Sequence, residues 1–219
     1  MLWNGTYEKW YFHNFVAFRT GWTHWEVALV EYMTPDEIIR LLEAAKGRSP
    51  RAWAMTLLSY KHALRPSECC GLRMVDIDLQ AGSITIGRLK NGNDNRQELT
   101  GHKGKPLLDE YLALKAWLKA RGGDPSPFLF TSQKSKRIDR TQWFREFQIL
   151  CMGAGIDNER AHPHVLRHSL ATHLTQGHAD VLEIKQRLGH KSIASTMVYA
   201  HIGDRHADTA TRRVLNELF

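Results

Sequence analysis

Five cationic or imidazole side chains precede one tyrosine in an order suited to chemistry at a phosphate. They are Arg65, Lys90, His164, Arg167 and His190, and the tyrosine is Tyr199. Cleavage of a phosphodiester without a metal needs a nucleophile, cations around the phosphate oxygens and groups that carry protons. Arginine binds such oxygens in a bidentate manner, and imidazole moves protons near neutral pH. The set therefore predicts a phosphoryl-transfer site with tyrosine as the nucleophile.

The spacing of the histidines and arginines groups several of these side chains. His164 and Arg167 are three residues apart, so they share one face of the helix that Pro163 predicts. Both lie near the positive end of the helix dipole and can point at one phosphate. His168 shares that face with His164, and its role stays open. No carboxylate lies between the two histidines and Arg167 would repel a cation, so no metal site is predicted.

The remaining candidates lie where regular structure ends. Pro66 biases Arg65 away from helical angles, so Arg65 falls in a bend between two helices and can point into a cleft. Lys90 lies at the tip of a predicted hairpin. Gly189 ends a helix just before His190, and the tyrosine follows on the next helical stretch. The fold must bring these separate elements together for the site to form.

Helical and strand periodicities follow one another along the chain. Thr34-Pro35-Asp36-Glu37 is a capping box with proline at the first helical position, and Ser49-Pro50 begins the next helix in the same way. Apolar and polar residues then alternate in three antiparallel strands, 75–79, 83–86 and 96–100. Later helices are predicted at about 107–119, 140–152, 163–177 and 180–189, and from residue 192. We therefore predict an α+β fold, mostly α, with one small three-stranded antiparallel sheet.

Residues 1–32 are rich in aromatic side chains and differ from the rest of the chain. Spacings of three and four from Tyr7 to Trp25 predict an amphipathic helix whose apolar face must be covered. The segment is either an extra helix on the main domain, or a partner-docking arm or the remnant of a lost domain. We therefore divide the chain into residues 1–32 and a main domain of residues 33–219.

Composition excludes several classes of protein. The 219 residues are 42% hydrophobic and 24% charged, as in ordinary globular proteins, and no apolar run is long enough to cross a bilayer. The N-terminus lacks the basic flank and apolar core of a signal peptide. Three cysteines, two of them adjacent, cannot form a disulfide framework, so we expect reduced thiols in a cytoplasmic protein. The net charge of +7 favours a polyanionic partner, with nucleic acid the first candidate.

The motifs in their order resemble those of the tyrosine recombinases, also called phage integrases. They are Arg65-Pro66-Ser67-Glu68, Val75-Asp76-Ile77-Asp78-Leu79, Arg88-Leu89-Lys90, His164-Val165-Leu166-Arg167-His168, Leu188-Gly189-His190 and Tyr199-Ala200-His201. The resemblance covers roughly residues 33–215, and five elements in one order make it specific. It implies the integrase-type catalytic fold, and the hairpin and short chain are most similar to the small fimbrial phase-variation invertases.

The resemblance implies a site-specific recombinase that cuts and rejoins DNA strands without a metal, a cofactor or ATP. Tyr199 would attack the scissile phosphate to give a 3′-phosphotyrosyl enzyme and a free 5′-hydroxyl. Arg65 and Arg167 would bind the non-bridging oxygens. Glu68 would hold or orient the histidine and arginine side chains.

Three further roles come from the same resemblance. Lys90 would protonate the leaving 5′-oxygen, although Lys103 and Lys105 lie near enough to compete. His164 would assist the ionisation of the tyrosine, and His190 would donate a hydrogen bond to the phosphate. Each residue alone is compatible with an ordinary structural role, and only the complete set favours catalysis.

Double-stranded DNA is the partner that the resemblance implies. A basic stretch interleaved with Trp143 and Phe144 either contacts the phosphate backbone or is a solvated surface. Its cations include Lys134, Lys136, Arg137 and Arg140. Residues 201–219 are predicted to form a helix. The resemblance implies that this helix packs into a neighbouring protomer of a tetramer on DNA, and packing onto its own domain is the alternative. Such a protein acts in the cytoplasm, at the nucleoid.

Two other functions stay open at this point. A non-catalytic relative would keep the fold as a DNA-binding accessory factor. A type IB topoisomerase would use similar chemistry without site preference. Members of the family typically carry a helical core-binding domain before the catalytic domain, whereas here only residues 1–32 come first. The chain is therefore expected to be either a small single-domain member or a truncated one.

Overall fold

The computed structural model describes residues 31–87, 95–134 and 136–203, and three strands within the first 27 residues. The chain forms two units, Met1–Glu31 and Tyr32–Phe219. Lys90 and residues 204–219 lie outside the described residues, so what the sequence predicts for them stays a prediction.

The first unit contains an antiparallel sheet. Its strands pair in chain order and are β1 (Lys9–Phe12), β2 (Phe15–Arg19) and β3 (Trp25–Val27). Phe12 pairs with Phe15, so two residues join the first two strands, as in a tight hairpin. The amphipathic helix predicted from Tyr7 to Trp25 is therefore wrong. Aromatic residues also favour strands, and in a segment so rich in them helical spacings arise without a helix.

The second unit is mostly helical. Its described helices are α1 (Pro35–Arg48), α2 (Pro50–Lys61), α3 (Pro66–Gly71), α4 (Glu110–Arg121), α5 (Arg140–Gly153), α6 (His164–Gln176), α7 (Val181–Leu188) and α8 (Ala194–Gly203). One antiparallel sheet pairs its strands in the order β4 (Ile77–Asp78), β5 (Ser83–Ile86) and β6 (Asn95–Glu98). The predicted fold class, mostly α with a small three-stranded antiparallel sheet, is confirmed, and the sheet of the first unit was not predicted.

Local caps set several of the helix boundaries. The Thr34 hydroxyl accepts a hydrogen bond from the backbone N–H of Glu37, whose carboxylate accepts one from the N–H of Thr34. Asp180 and Glu183 form the same capping box at the start of α7. Each such cap stabilises its helix by about 0.5–2 kcal/mol, and because caps are local they were readable from the sequence.

Several boundaries differ from the prediction, and the cause is local in two of them. Val75 is 83% exposed and lies in a 3₁₀ turn, Met74–Asp76, instead of beginning a strand. The Asp76 carboxylate accepts a hydrogen bond from the backbone three residues earlier and closes this turn. Helix α4 begins three residues later than predicted because the side chain of Asp109 caps it, and Pro106–Leu108 forms a separate 3₁₀ turn.

Helix α2 lies at the centre of the second unit. Its residues from Ala52 to Ser59 are all buried, and the helix packs against α1, α4 and α6. Its end leads directly into the bend that carries Arg65, so the core holds this bend beside α6. The three cysteines are buried and unpaired, as predicted. In the part of the chain that the structure describes, no helix combines the length and apolar character needed to cross a bilayer.

Candidate active site

Arg167 connects three parts of the candidate site. The residue lies on α6 with only 1% of its surface exposed. Its Nη1 donates to the carbonyl oxygen of Ala63 at 2.6 Å, and its Nη2 donates to that of Leu188 at 2.7 Å. Ala63 lies two residues before Arg65, and Leu188 lies two residues before His190. One guanidinium group therefore holds the Arg65 bend and the His190 turn against the start of α6.

Arg65 precedes α3 in an extended conformation, with φ −68° and ψ 151°, as the following proline favours. Its Nη1 donates to Oε1 of Glu68 at 2.8 Å, and its backbone N–H donates to Oε2 at 2.8 Å. The side chain of Glu68 is fully buried, whereas 35% of the Arg65 side chain is exposed. The carboxylate therefore fixes the guanidinium group while part of that group stays open to solvent.

His164 begins α6 and lies within the electrostatic field of both arginines. Burial is the main reason that the pKa of His164 falls to about 4. The charge of Arg167, followed by those of His162 and Arg65, acts in the same direction on this pKa. The Nδ1 atom is buried and has no hydrogen-bond partner among the described residues. The imidazole is therefore neutral at physiological pH, close to two fixed positive charges.

Tyr199 lies on α8 and is hydrogen-bonded to His168 of α6. The phenolic oxygen is 2.7 Å from Nδ1 of the histidine, and 4% of the tyrosine is exposed. The ring centroids of His168 and Tyr199 are 6.2 Å apart, and those of His164 and His168 are 6.5 Å apart. His168 therefore contacts the phenol, and His164 lies one ring further away. In the sequence, only the helical spacing between His164 and His168 indicated that His168 belongs to the site.

Burial opposes the ionisation of both partners in this hydrogen bond. It raises the pKa of Tyr199 to about 12, although the charge of Arg167 acts in the opposite direction. Burial also lowers the pKa of His168 to about 4, and the nearby His164, His162 and Arg167 add to this effect. At neutral pH a protonated phenol therefore contacts a neutral imidazole, whose Nδ1 accepts the phenolic proton when the ring carries its own proton on Nε2.

His190 lies in the turn between α7 and α8. It follows Gly189, whose φ of 63° ends α7 in the left-handed region. Its Nδ1 is 2.9 Å from the hydroxyl of Thr196, a buried residue of α8. This contact fixes the start of α8, the helix that carries Tyr199, relative to the carbonyl of Leu188. That carbonyl accepts a hydrogen bond from Arg167.

Lys90 lies outside the described residues, but the strand that follows it is attached close to the site. The side-chain amide of Asn95 donates to the carbonyl of Gln186 at 2.8 Å, and that of Gln97 donates to the carbonyl of Arg187 at 3.1 Å. Both carbonyls belong to the last turn of α7. Strand β6 is thus held beside the turn in which the Leu188 carbonyl accepts a hydrogen bond from Arg167.

The predicted DNA-contact residues lie on the surface. They are Lys134, Lys136, Arg137 and Arg140, and all four are exposed. Arg137 and Arg140 act electrostatically on Cys70 of α3, the helix that begins directly after Arg65. These two cations therefore lie on the α3 side of the unit. Trp143, which the sequence grouped with them, is fully buried and belongs to the core.

The structure thus brings Arg65, His164, Arg167 and Tyr199 together around the start of α6, with the His190 turn attached. Two guanidinium groups, two imidazoles and a phenol can bind an anion and move a proton at it. A cavity of about 450 Å³ lies between α2, α6 and α7, and none of the predicted site residues lines it. Across the described ranges, no group of three or more histidine, cysteine or acidic side chains is placed to hold a metal ion.

Sequence comparison points to one family. The profile of the phage integrase family matches residues 31–206. The chain is 38% identical over 174 residues to the type 1 fimbriae regulatory protein FimB of Escherichia coli, covering 77% of this chain and 82% of FimB. It is 34% identical over 185 residues to the tyrosine recombinase XerC of Thermodesulfovibrio yellowstonii. That match covers 82% of this chain but only 60% of XerC.

Structural comparison shows a shared fold. The site-specific recombinase XerH, solved in a pre-cleavage complex with its difH substrate, matches with a TM-score of 0.68. The sequence identity is 23%, and the match covers 84% of this chain and 54% of that chain. The chain therefore spans little more than half of XerH.

Proposed function

We propose that this chain, which belongs to the phage integrase family, acts as a site-specific DNA recombinase that cuts and rejoins strands through a 3′-phosphotyrosyl intermediate. One observation carries the proposal: the charges of Arg65 and Arg167 both act on His164 at the start of α6, and a buried tyrosine, on which Arg167 also acts, is hydrogen-bonded to His168 one turn further along. A helical fold does not need such a group of buried polar side chains, because hydrophobic side chains would fill the same space with a lower desolvation free energy.

Arg65 and Arg167 would bind the non-bridging oxygens of the scissile phosphate. Both guanidinium groups keep their charge at every physiological pH. The partly exposed Arg65 suits a bidentate contact with phosphate, whereas both Nη atoms of Arg167 already donate to carbonyls and this residue would act mainly through its charge. During attack the phosphorus becomes pentacoordinate and gains negative charge, which fixed positive groups stabilise best where water is largely excluded. By analogy with an oxyanion-hole donor, the loss of one such group would cost about 3–4 kcal/mol of transition-state stabilisation.

Tyr199 would form a new bond between its oxygen and phosphorus while the bond to the 5′-oxygen breaks. The phosphotyrosyl ester retains the energy of the phosphodiester, so a 5′-hydroxyl can attack it and restore a strand without ATP. Lys90 would protonate the leaving oxygen, and His190 would donate a hydrogen bond to the phosphate. The neutral ring of His164, beside both arginines, would carry protons at the phosphate.

DNA is the proposed substrate. XerH, whose fold this chain shares, was solved with its difH substrate. The four exposed cations of the 134–140 segment would contact the phosphate backbone, which positions a duplex without reading its sequence. This agrees with the net charge of +7.

We also propose assembly as a tetramer on DNA through the C-terminal residues. The support comes from sequence, because Val214, Leu215, Leu218 and Phe219 give the tail an apolar face at helical spacing. Residues 1–32 would be an arm that contacts a partner or the main domain. An enzyme of this kind would act in the cytoplasm on nucleoid DNA.

Trapping of the covalent intermediate tests the proposal. The probe is a library of DNA duplexes with randomised cores and a single nick, which lets the cleaved fragment diffuse away and prevents rejoining. Unaltered protein should yield adducts that survive detergent and share a sequence. The Tyr199→Phe variant should yield none, and an adduct in that variant would contradict the nucleophile assignment.

The same assay separates the other two functions. DNA binding by the unaltered chain without any adduct would indicate an accessory protein. Relaxation of supercoiled plasmid with no sequence preference among the adducts would indicate a topoisomerase. Adducts confined to one sequence, followed by strand exchange between two such duplexes, would support recombination.

A further inference from the structure

We propose that His168 accepts the phenolic proton of Tyr199 during strand cleavage, an assignment that rests on the proposed recombinase function. The sequence patterns favoured His164 for this step and left the role of His168 open. The geometry points instead to the histidine one turn further along α6.

The contact between the two side chains is direct. Nδ1 of His168 lies 2.7 Å from the phenolic oxygen of Tyr199, within the range of a good hydrogen bond. It is the hydrogen-bond partner of that hydroxyl within the residues that the structure describes. The tyrosine is 4% exposed, so bulk water has little access to its proton. A base that acts on this phenol must therefore already be beside it.

The surroundings of His168 keep it ready to accept a proton. His162, His164 and Arg167 face the ring from α6 and the turn before it, and with burial they hold it neutral. A neutral imidazole with its proton on Nε2 presents a lone pair at Nδ1, towards the phenol. A bound phosphate would bring negative charge to the same place and offset the positive charge that His168 gains.

His164 is less well placed for this step. Its ring centroid lies 6.5 Å from that of His168, and the phenolic oxygen of Tyr199 is hydrogen-bonded to His168. The charge of Arg65 acts on His164 and is not among the charges that act on His168. The two histidines therefore have different neighbours, with His164 facing the phosphate-binding arginines and His168 facing the nucleophile.

The step balances without any added reactant. The O–H bond of Tyr199 breaks and its proton moves to Nδ1 of His168, while the phenolic oxygen bonds to phosphorus. The P–O5′ bond breaks, its electron pair stays on the 5′-oxygen, and Lys90 supplies the proton for the new hydroxyl. When a 5′-hydroxyl later attacks the phosphotyrosyl ester, its oxygen bonds to phosphorus and its proton passes back to Lys90. The bond between phosphorus and the phenolic oxygen then breaks, and His168 returns its proton to that oxygen.

The test compares two substitutions at this position with a matched control. His168→Asn keeps an oxygen that can accept the phenolic hydrogen bond but has no basicity, and His168→Ala removes both. The control is His173→Asn on the same helix, because Nδ1 of His173 lies 2.8 Å from the hydroxyl of Tyr60 in a partly buried pair of the same kind. The probe is a nicked duplex that the unaltered chain traps, and the single-turnover rate of adduct formation is measured from pH 6 to 9.

We expect both His168 variants to form the adduct about 10²- to 10⁴-fold more slowly, the usual contribution of general-base catalysis. Their rates should rise with pH because the phenol must then ionise on its own, whereas the rate of the unaltered chain should stay nearly constant. His173→Asn should keep the unaltered rate. Nitrogen NMR of the free protein should show Nδ1 of His168 unprotonated, which does not depend on activity.

Several outcomes would overturn the assignment. Full activity of His168→Asn would show that His168 only positions the tyrosine. Faster cleavage by that variant would show that the hydrogen bond to His168 restrains the tyrosine and inhibits the reaction. An equal loss of rate in His173→Asn would show that the effect comes from altered packing of α6. A protonated Nδ1 on His168 would show that the ring donates the hydrogen bond to the phenol and cannot accept its proton. The absence of any adduct from the unaltered chain would instead refute the proposed function, so the two failures are distinct.

Discussion

His62 and Glu110 form a buried ion pair in which Nε2 lies 2.5 Å from Oε1 and neither side chain is exposed. The other ring nitrogen, Nδ1, lies 2.8 Å from Oε1 of Gln97. The amide nitrogen of Gln97 donates to the carbonyl of Arg187, which fixes the orientation of the amide. Both ring nitrogens of His62 therefore face acceptor oxygens.

The second carboxylate oxygen of Glu110 is equally well bound. It lies 3.1 Å from Nζ of Lys61 and accepts hydrogen bonds from the backbone N–H and hydroxyl of Thr100 at 2.8 and 2.9 Å. Burial would raise the pKa of Glu110, but the hydrogen bond and charge of His62, with Lys61, lower it to about 2. The network joins α2, β6, α4 and α7, the elements that lead to the candidate site.

Glu110→Gln should lower the free energy of unfolding by about 1–3 kcal/mol, because it removes the charged acceptor that His62, Lys61 and Thr100 share and leaves buried donors poorly paired. The measurement is a urea titration followed by circular dichroism. The matched control is Asp157→Asn, which breaks an ion pair with Arg160 in which 77% of the aspartate side chain is exposed. That change should cost less than about 1 kcal/mol, and equal losses in both variants would contradict the argument.

The free energy of unfolding should fall in two steps as the solution is acidified. The folded pKa values of His164 and His168 are about 4 against the ordinary 6.5, so the unfolded chain binds protons first between these values. Stability is therefore lost from pH 6.5 towards 4. The folded pKa of Glu110 is about 2 against 4.5, so its contribution is complete above 4.5 and is lost towards pH 2.

Urea titrations at a series of pH values check these two steps. His168→Asn should flatten the slope between pH 6.5 and 4, and Glu110→Gln should flatten the slope below 4.5. An unchanged upper slope in His168→Asn would show that this histidine is not held neutral in the folded protein.

The two arginines of the site should respond differently to replacement by lysine. Arg167→Lys should lower both adduct formation and stability, since a single ammonium cannot serve the carbonyls of Ala63 and Leu188 at once. An unpaired buried carbonyl costs about 1–3 kcal/mol. Arg65→Lys should lower adduct formation by about 10²- to 10³-fold, as for the loss of one transition-state donor. Its stability should change little, because the partly exposed lysine can still pair with Glu68.

Denaturant titration beside the trapping assay separates the two effects. A large loss of stability in Arg65→Lys, or full cleavage by Arg167→Lys, would contradict the roles given to these side chains.

The order of the motifs and the local caps were predictable because they depend on nearby residues. His164 and Arg167 share a face through helical spacing, and the boxes at Thr34 and Asp180 are formed by side chains three residues apart. The contact between His168 and Tyr199 was not predictable, because it depends on how α8 packs against α6. The carbonyl partners of Arg167 come from two distant turns for the same reason.

The first unit shows where periodicity fails. A segment so rich in aromatic residues fits the spacing of an amphipathic helix and that of a strand equally well. The pairing of β1 with β2, in which Phe12 lies opposite Phe15, determines that this segment forms strands. The spacing alone therefore predicted the wrong element.

Substitution of the exposed lysines between α4 and α5 tests the DNA-contact surface. The double change of Lys134 and Lys136 to glutamine should weaken binding to duplex DNA and reduce the slope of log K against log salt by about 1.8, since each lost phosphate contact contributes about 0.9. Lys115 and Lys119, exposed on α4, are the matched control pair. Equal slopes in the two double variants would remove the 134–140 segment from the proposed interface.

Gln97→Ala should slow strand cleavage although Gln97 is remote from the phosphate. Its amide joins His62 to the carbonyl of Arg187, and so holds β6, the strand that follows Lys90 in the chain, against α7. A displacement of about 1 Å in a catalytic group can cost about 10²-fold in rate. The rate of adduct formation on a trapped duplex measures this loss.

A duplex with sulfur in place of the scissile 5′-oxygen shows whether the loss acts through Lys90. A thiolate leaves without a proton because thiols ionise far more readily than alcohols. Gln97→Ala and Lys90→Ala should therefore both recover the unaltered rate on the sulfur duplex, whereas Arg65→Lys should stay slow, since its charge acts on the phosphate itself. If Gln97→Ala stays slow with sulfur while Lys90→Ala recovers, the network around His62 acts on the arginines and not on the hairpin.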